Sequence, residues 1–198
     1  LFRSLIPENP IKRIKDTKTA HVMQSIMSAE EREMVRSKCH TEREIALVDF
    51  LYSSGVRVSE LVSLNRQDID LRRRRAKCLG KGRKEREITF SAECGVHLAE
   101  YLAQRTDHNE ALFVSSVKPH QRLTKAGIRA LLKKIKARDE RLARVKLTPH
   151  VYRRTRGTDL INRGMPAELL AKKLGHENIQ TLLMCYRSEE HTSELQSP

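Results

Sequence analysis

Of the 39 lysines and arginines, 8 histidines and 4 tyrosines in the 198-residue chain, six are candidates to act on a phosphate ester: Arg57, Lys81, His150, Arg153, His176 and Tyr186. Arg57 follows Gly55, a helix-stop residue, and stands where a short new helix, Val58 to Leu64, is expected to begin. From a helix start its planar guanidinium can be aimed at a phosphate and bind two oxygens at once. Lys81 lies between Gly80 and Gly82 in an expected turn, where a flexible ammonium is free to hand over a proton. His150 and Arg153 are spaced i, i+3, so on a helix they share a face and can meet one phosphate. His176 opens the turn after Gly175, which ends a helix. Tyr186 is a phenol with an ordinary pKa of about 10, and it needs cations around it to attack as a nucleophile. Taken singly, each residue also has a plainer reading: a solvated arginine, a turn lysine, a capping histidine, a core tyrosine.

Order and spacing give the set its meaning. Within ALVDFLYSSGVRVSELVSLNRQDID, Gly55, Arg57, Glu60 and Leu61 fit the pattern Gly-x-Arg-x-x-Glu-Leu. His150 and Arg153 fit His-x-x-Arg, and Leu174, Gly175 and His176 fit Leu-Gly-His. From about Ser28 to Tyr186 the chain therefore resembles the catalytic domain of the tyrosine recombinases, the phage integrase family.

That resemblance implies a role for each residue. Arg57 and Arg153 would clamp the non-bridging oxygens of a pentacoordinate phosphate, with His150 beside them. Lys81, 24 residues after Arg57, would protonate the leaving oxygen, and His176 would position the phosphate or shuttle a proton. Tyr186 would be the nucleophile, ten residues after His176. The interval in the family is commonly nine, where this chain has Cys185, so a thiol nucleophile stays open as the alternative. Arg154 is expected to point away from the set, as a backbone contact or a structural residue.

The implied function is that of a site-specific recombinase or integrase, which cuts and rejoins DNA strands through a 3′-phosphotyrosine link and releases a 5′-hydroxyl. The covalent bond stores the energy, so neither ATP nor a metal nor another cofactor is implied. The implied partner is double-stranded DNA, bound by a homotetramer of the full-length protein. Two alternatives remain open: a type IB topoisomerase, which relaxes supercoils by the same chemistry, and a DNA-binding fragment with impaired catalysis.

Composition agrees with a polyanionic partner. The formal charge is +14 on a chain that is 38% hydrophobic, which describes a folded basic protein rather than a disordered basic tail. Arg72, Arg73, Arg74 and Arg75 form an unbroken basic run that Arg83, Lys84 and Arg86 continue, and Lys133, Lys134, Lys136 and Arg138 make another. Such clusters suit phosphate contacts that set register without reading sequence. Aromatic residues make up only 4% of the chain, which favours duplex backbone over stacking on single-stranded bases. No stretch approaches the roughly 20 apolar residues of a membrane span, and Leu1 is followed by Phe2 and Arg3 rather than by a secretory core. A soluble, cytoplasmic protein is expected. Cys39, Cys78, Cys94 and Cys185 are far apart with no CxxC pair, so they read as reduced thiols and no metal site is expected.

These residues must be positioned by a mixed α+β fold, mainly a helical bundle with a small antiparallel sheet of about three strands. Ser28 and Glu31 form a capping-box signature that opens a helix to about Cys39. Ile45, Ala46, Val48, Leu51 and Tyr52 recur at helical spacing from Glu42 to Ser53. Ala76 to Leu79 and Glu85 to Phe90 flank a glycine-bearing hairpin turn. Further helices are expected after Ser91 and over Thr124 to Ala137, Thr148 to Arg163, Pro166 to Leu174 and Asn178 to Tyr186. The absence of regular strand and helix alternation argues against a parallel βαβ sheet. Residues 1–27 read as a linker from a missing N-terminal DNA-binding domain and residues 28–186 as the catalytic domain. Residues 187–198 (RSEEHTSELQSP) read as an artefactual tail, because they match the translation of a sequencing-adapter oligonucleotide.

Overall fold

The computed structural model describes residues 25–79 and 85–175. The expectations for Lys81, Arg83, Lys84, His176, Cys185, Tyr186 and the helix from Asn178 lie outside the described residues.

Helix starts sit on capping residues, of which the Ser28–Glu31 box is the one expected from the sequence. Helix α1 (Ala29–Ser37) opens on a complete capping box: the Glu31 amide donates to Ser28 Oγ at 3.2 Å and the Ser28 amide to Glu31 Oε2 at 2.9 Å. Thr41 caps α2 (Glu42–Ser54), which ends on Gly55 in the left-handed region at φ 61°. The chain then turns at once into α3 (Val58–Ser63). Ser91, Thr124 and Thr148 cap α4 (Ala92–Ala103), α5 (Lys125–Lys136) and α6 (Pro149–Asn162). Helix α7 (Ala167–Leu174) stops at Gly175, again left-handed at φ 68°.

A three-stranded antiparallel sheet stands beside the helices in the order β1 (Ile69–Asp70), β2 (Arg75–Leu79), β3 (Glu85–Thr89). Pairing of β2 with β3 runs from Arg75 opposite Thr89 to Leu79 opposite Glu85. The fold class is therefore the expected mainly helical one with a small sheet.

Helix α2 is the centre of the packing. It lies against α4 and α6, and Phe50 on it meets Phe90 at 5.6 Å and Phe113 at 6.3 Å between ring centres. A second, smaller core of Leu160, Leu170, Ala171 and Leu174 fastens α7 to α6. Burying a leucine such as Leu170 or Leu174 contributes roughly 1.5–3 kcal/mol, and that fixes where α7 ends. Sequence periodicity did not reveal the short 3₁₀ turns at Arg66–Asp68 and Glu140–Arg144, or the isolated bridges Asn65 to Ala111 and Val114 to Arg122. Among the described residues no helix is long and apolar enough to cross a membrane.

Candidate active site

Arg57 is the last extended residue before α3, at φ −70° and ψ 144°. Its backbone amide donates to Glu60 Oε2 at 2.9 Å and its Nη1 to Glu60 Oε1 at 3.0 Å, so a carboxylate one turn into α3 holds both ends of the residue. Glu60 is only 4% exposed. Its two oxygens also take the fork of Arg86 from β3, Nε at 3.1 Å and Nη2 at 2.6 Å. Burial pushes the Glu60 carboxyl upward, but the bonds from Arg86 and Arg57 outweigh it and hold the group below the usual carboxylate range.

The last carbonyls of a helix have no partner within the helix. At the end of α7 three arginines from three elements supply one. Arg86 Nη1 donates to Lys173 O at 2.8 Å, Arg153 Nη2 to Leu174 O at 2.6 Å, and Arg57 Nη2 to Gly175 O. Cations at a helix C-terminus also complement its dipole. Arg153 is buried on α6, and its Nη1 donates to Gly55 O at 2.7 Å, which ties the end of α2 to the end of α7.

Two glycines leave room for this convergence. A Cβ on Gly175 would stand 3.3 Å from Arg57 Nη1 and from Cδ and Nε of Arg86, and one on Gly55 would stand 2.8 Å from Leu174 Cδ2. Both residues also have positive φ, a conformation that L side chains avoid.

His150 lies exposed in the first turn of α6, and its Nε2 accepts from Arg154 Nη2 at 3.0 Å. Arg154, expected to point away from the set as a backbone contact or a structural residue, departs from that at His150, over which a spacing of i, i+4 puts it; its Nη1 reaches Ser25 O at 3.5 Å, while Arg153 turns inward. Desolvation, together with the charges of Arg154, Arg153 and Lys146, holds the His150 pKa below its ordinary value. Lys173 is a further cation near this cluster that the sequence reading did not single out. Half-buried, it donates to Thr89 Oγ1 at 2.5 Å, and burial with the Arg156 charge lowers its pKa. Its only sequence signal is its place immediately before Leu174 and Gly175.

The basic runs divide into exposed and structural members. Arg72, Arg73, Arg74 and Arg75 are exposed around the β1–β2 turn and line an open groove of ≈ 750 Å³ with Asp70, Lys77 and Glu87 among its walls. Lys133 and Lys134 are exposed in the last turn of α5. By contrast, Lys136 donates to Val145 O and Arg138 pairs with both oxygens of Glu44, which makes them structural. Arg86, expected with the backbone-contacting group, directs its fork inward to Glu60 and Lys173. Cys39, Cys78 and Cys94 are free thiols, and burial pushes Cys39 up to about 12.

Comparison with known proteins points the same way as this geometry. The family model described as "Phage integrase family" matches residues 17–192. The tyrosine recombinase XerC of Herpetosiphon aurantiacus is 37% identical over 145 residues, covering 70% of this chain and 46% of that protein. The crystal structure of XerA recombinase superposes with a TM-score of 0.74 at 26% identity, over 89% of this chain and 67% of that one. The XerH site-specific recombinase, solved as a post-cleavage complex with palindromic difH substrate, shares the fold with a TM-score of 0.71 at 22% identity, over 87% of this chain and 52% of that one. The chain spans about half the length of the curated relatives it matches.

Proposed function

The chain belongs to the phage integrase family, and from that premise we propose that it is the catalytic part of a site-specific DNA recombinase using Tyr186 as its nucleophile. Tyr186 Oη attacks a backbone phosphorus, forming a 3′-phosphotyrosine as the bond to the 5′ oxygen breaks. Lys81 gives that oxygen its proton. Arg57 and Arg153 stabilise the extra charge of the pentacoordinate phosphate, while His150 and His176 position it or move protons. A 5′-hydroxyl of a partner strand then attacks the phosphotyrosine and the steps reverse. The exposed arginines 72–75, with Arg83, Lys84, Lys133 and Lys134, hold the duplex by its phosphates. The full-length protein works in the cytoplasm as a homotetramer on double-stranded DNA, without a metal or a small-molecule cofactor.

The observation that carries this reading is the meeting of Arg57 and Arg153 on the successive carbonyls Gly175 and Leu174. Two guanidiniums from separate elements converge on one helix end, and the residue after it is His176.

The test is a covalent adduct. The chain is incubated with nicked duplex DNA and resolved under denaturing conditions. An adduct that is lost in Tyr186→Phe and kept in Cys185→Ala supports the proposal, while loss in Cys185→Ala alone transfers the nucleophile to the thiol. Intact DNA binding without an adduct favours a binding fragment, and relaxation of a plasmid that carries no specific site favours topoisomerase action.

A further inference from the structure

We propose that Arg86 is the positioning residue for Arg57, acting through the Glu60 carboxylate that the two share and through the end of α7. The proposal rests on the reading above that Arg57 takes the phosphate. Glu60 Oε1 receives Arg57 Nη1 at 3.0 Å and Arg86 Nε at 3.1 Å, and Oε2 receives the Arg57 amide at 2.9 Å and Arg86 Nη2 at 2.6 Å. Four donors fill the roughly four lone-pair sites of a carboxylate. A glutamate has a broad, weakly restrained terminal torsion, so a carboxylate held from one side can swing and carry its partner with it. The fork of Arg86, 15% exposed, closes the other side and removes that freedom.

The same guanidinium acts a second time. Its Nη1 holds Lys173 O, next to the two carbonyls on which Arg153 and Arg57 rest. Losing Arg86 therefore loosens both supports of Arg57: the carboxylate and the helix end. The missing side chain of Gly175 is part of the same arrangement, since a Cβ there would press at 3.3 Å on both Arg86 and Arg57. Two guanidiniums sharing one carboxylate also leave this cluster positive, which suits an anion. The bidentate geometry calls for arginine: a lysine keeps the charge but offers a point in place of a fork.

The experiment compares the full chain with Arg86→Lys and Arg86→Gln, using a labelled nicked-duplex library of random sequence. Arg86→Gln is expected to slow adduct formation by about tenfold, less than the roughly 10²–10³-fold for loss of a transition-state donor itself, with DNA affinity within about twofold, and Arg86→Lys to recover part of the rate. Loss of affinity, with the slope of log K against log salt falling by about one, identifies Arg86 as a phosphate contact and overturns the proposal. Adduct formation at the wild-type rate overturns it too.

If the wild-type chain forms no adduct, the cutting reading fails and a second measurement decides the role of Arg86. In the DNA-free protein the Arg57 Nη–H resonance, assigned with Arg57→Lys, is expected to be distinct and slowly exchanging, because Nη1 and Nη2 are both bonded. Its collapse into the signals of solvated arginines in Arg86→Gln supports the proposal, and an unchanged resonance contradicts it. Should Arg86→Gln fail to fold, Arg86→Lys carries both measurements.

Discussion

Arg153 and Arg57 donate to consecutive carbonyls, Leu174 and Gly175, so the last turn of α7 is held by guanidiniums from α6 and from the entrance to α3. One helix end thus sets the position of both. Arg153 is buried and bonded also to Gly55, whereas the Arg57 side chain is 37% exposed. Arg57 is thus the more accessible member of the pair.

Gly175→Ala should disturb this end of α7 directly. The left-handed backbone alone costs an alanine roughly 1–2 kcal/mol, and the new Cβ presses on Arg57 and Arg86. Thermal unfolding should report a loss of that size, and adduct formation should fall further than stability explains. A variant with wild-type stability and rate would contradict the crowding.

Glu60→Gln leaves two guanidiniums sharing a neutral amide. Breaking a buried ion pair by removing one partner costs about 3 kcal/mol or more. The folded Glu60 titrates below its unfolded value, so its stabilisation is fully present above about pH 4.3 and is lost as pH falls through the lower folded value. The stability gap between wild type and Glu60→Gln, measured by denaturant unfolding, should be widest at neutral pH and shrink in acid. A gap that does not vary with pH would count against the ion pairs.

His150 should titrate below about 6.5, its ordinary value, because desolvation and the neighbouring cations disfavour the imidazolium. An NMR titration of its ring proton reads this midpoint. Arg154→Ala removes one of those cations and should move the midpoint upward. A midpoint at or above the ordinary value, or no response to Arg154→Ala, contradicts the electrostatic environment described.

Much of the scaffold was legible because its signals are local. Ser28, Ser91, Thr124 and Thr148 stand where helices are expected to begin and each accepts a bond from the amide three residues on, as does Thr41, and Gly55 and Gly175 supply the left-handed stops. What the sequence concealed was the direction of arginines within basic runs. Arg75 and Arg86 look alike in composition, yet one is exposed and the other faces Glu60. The available clue was strand alternation: Glu85 and Glu87 are exposed in β3 while Ile88 is buried, and Arg86 shares the face of Ile88. Arg105 and Arg138 escaped for a related reason, since each binds backbone carbonyls distant in sequence or across a loop, and no periodicity encodes that.

The most direct test of the central claim sets cleavage against binding in Arg57→Ala and in Arg153→Lys, the latter chosen because Arg153 is buried. Both rates of adduct formation and both DNA affinities are measured with the same duplex. If the two arginines act on the pentacoordinate phosphate, the rates should drop roughly 10²–10³-fold while the affinities change by less than about threefold. Equal losses of rate and affinity would mean that Arg57 and Arg153 merely bind DNA, and would contradict the clamp.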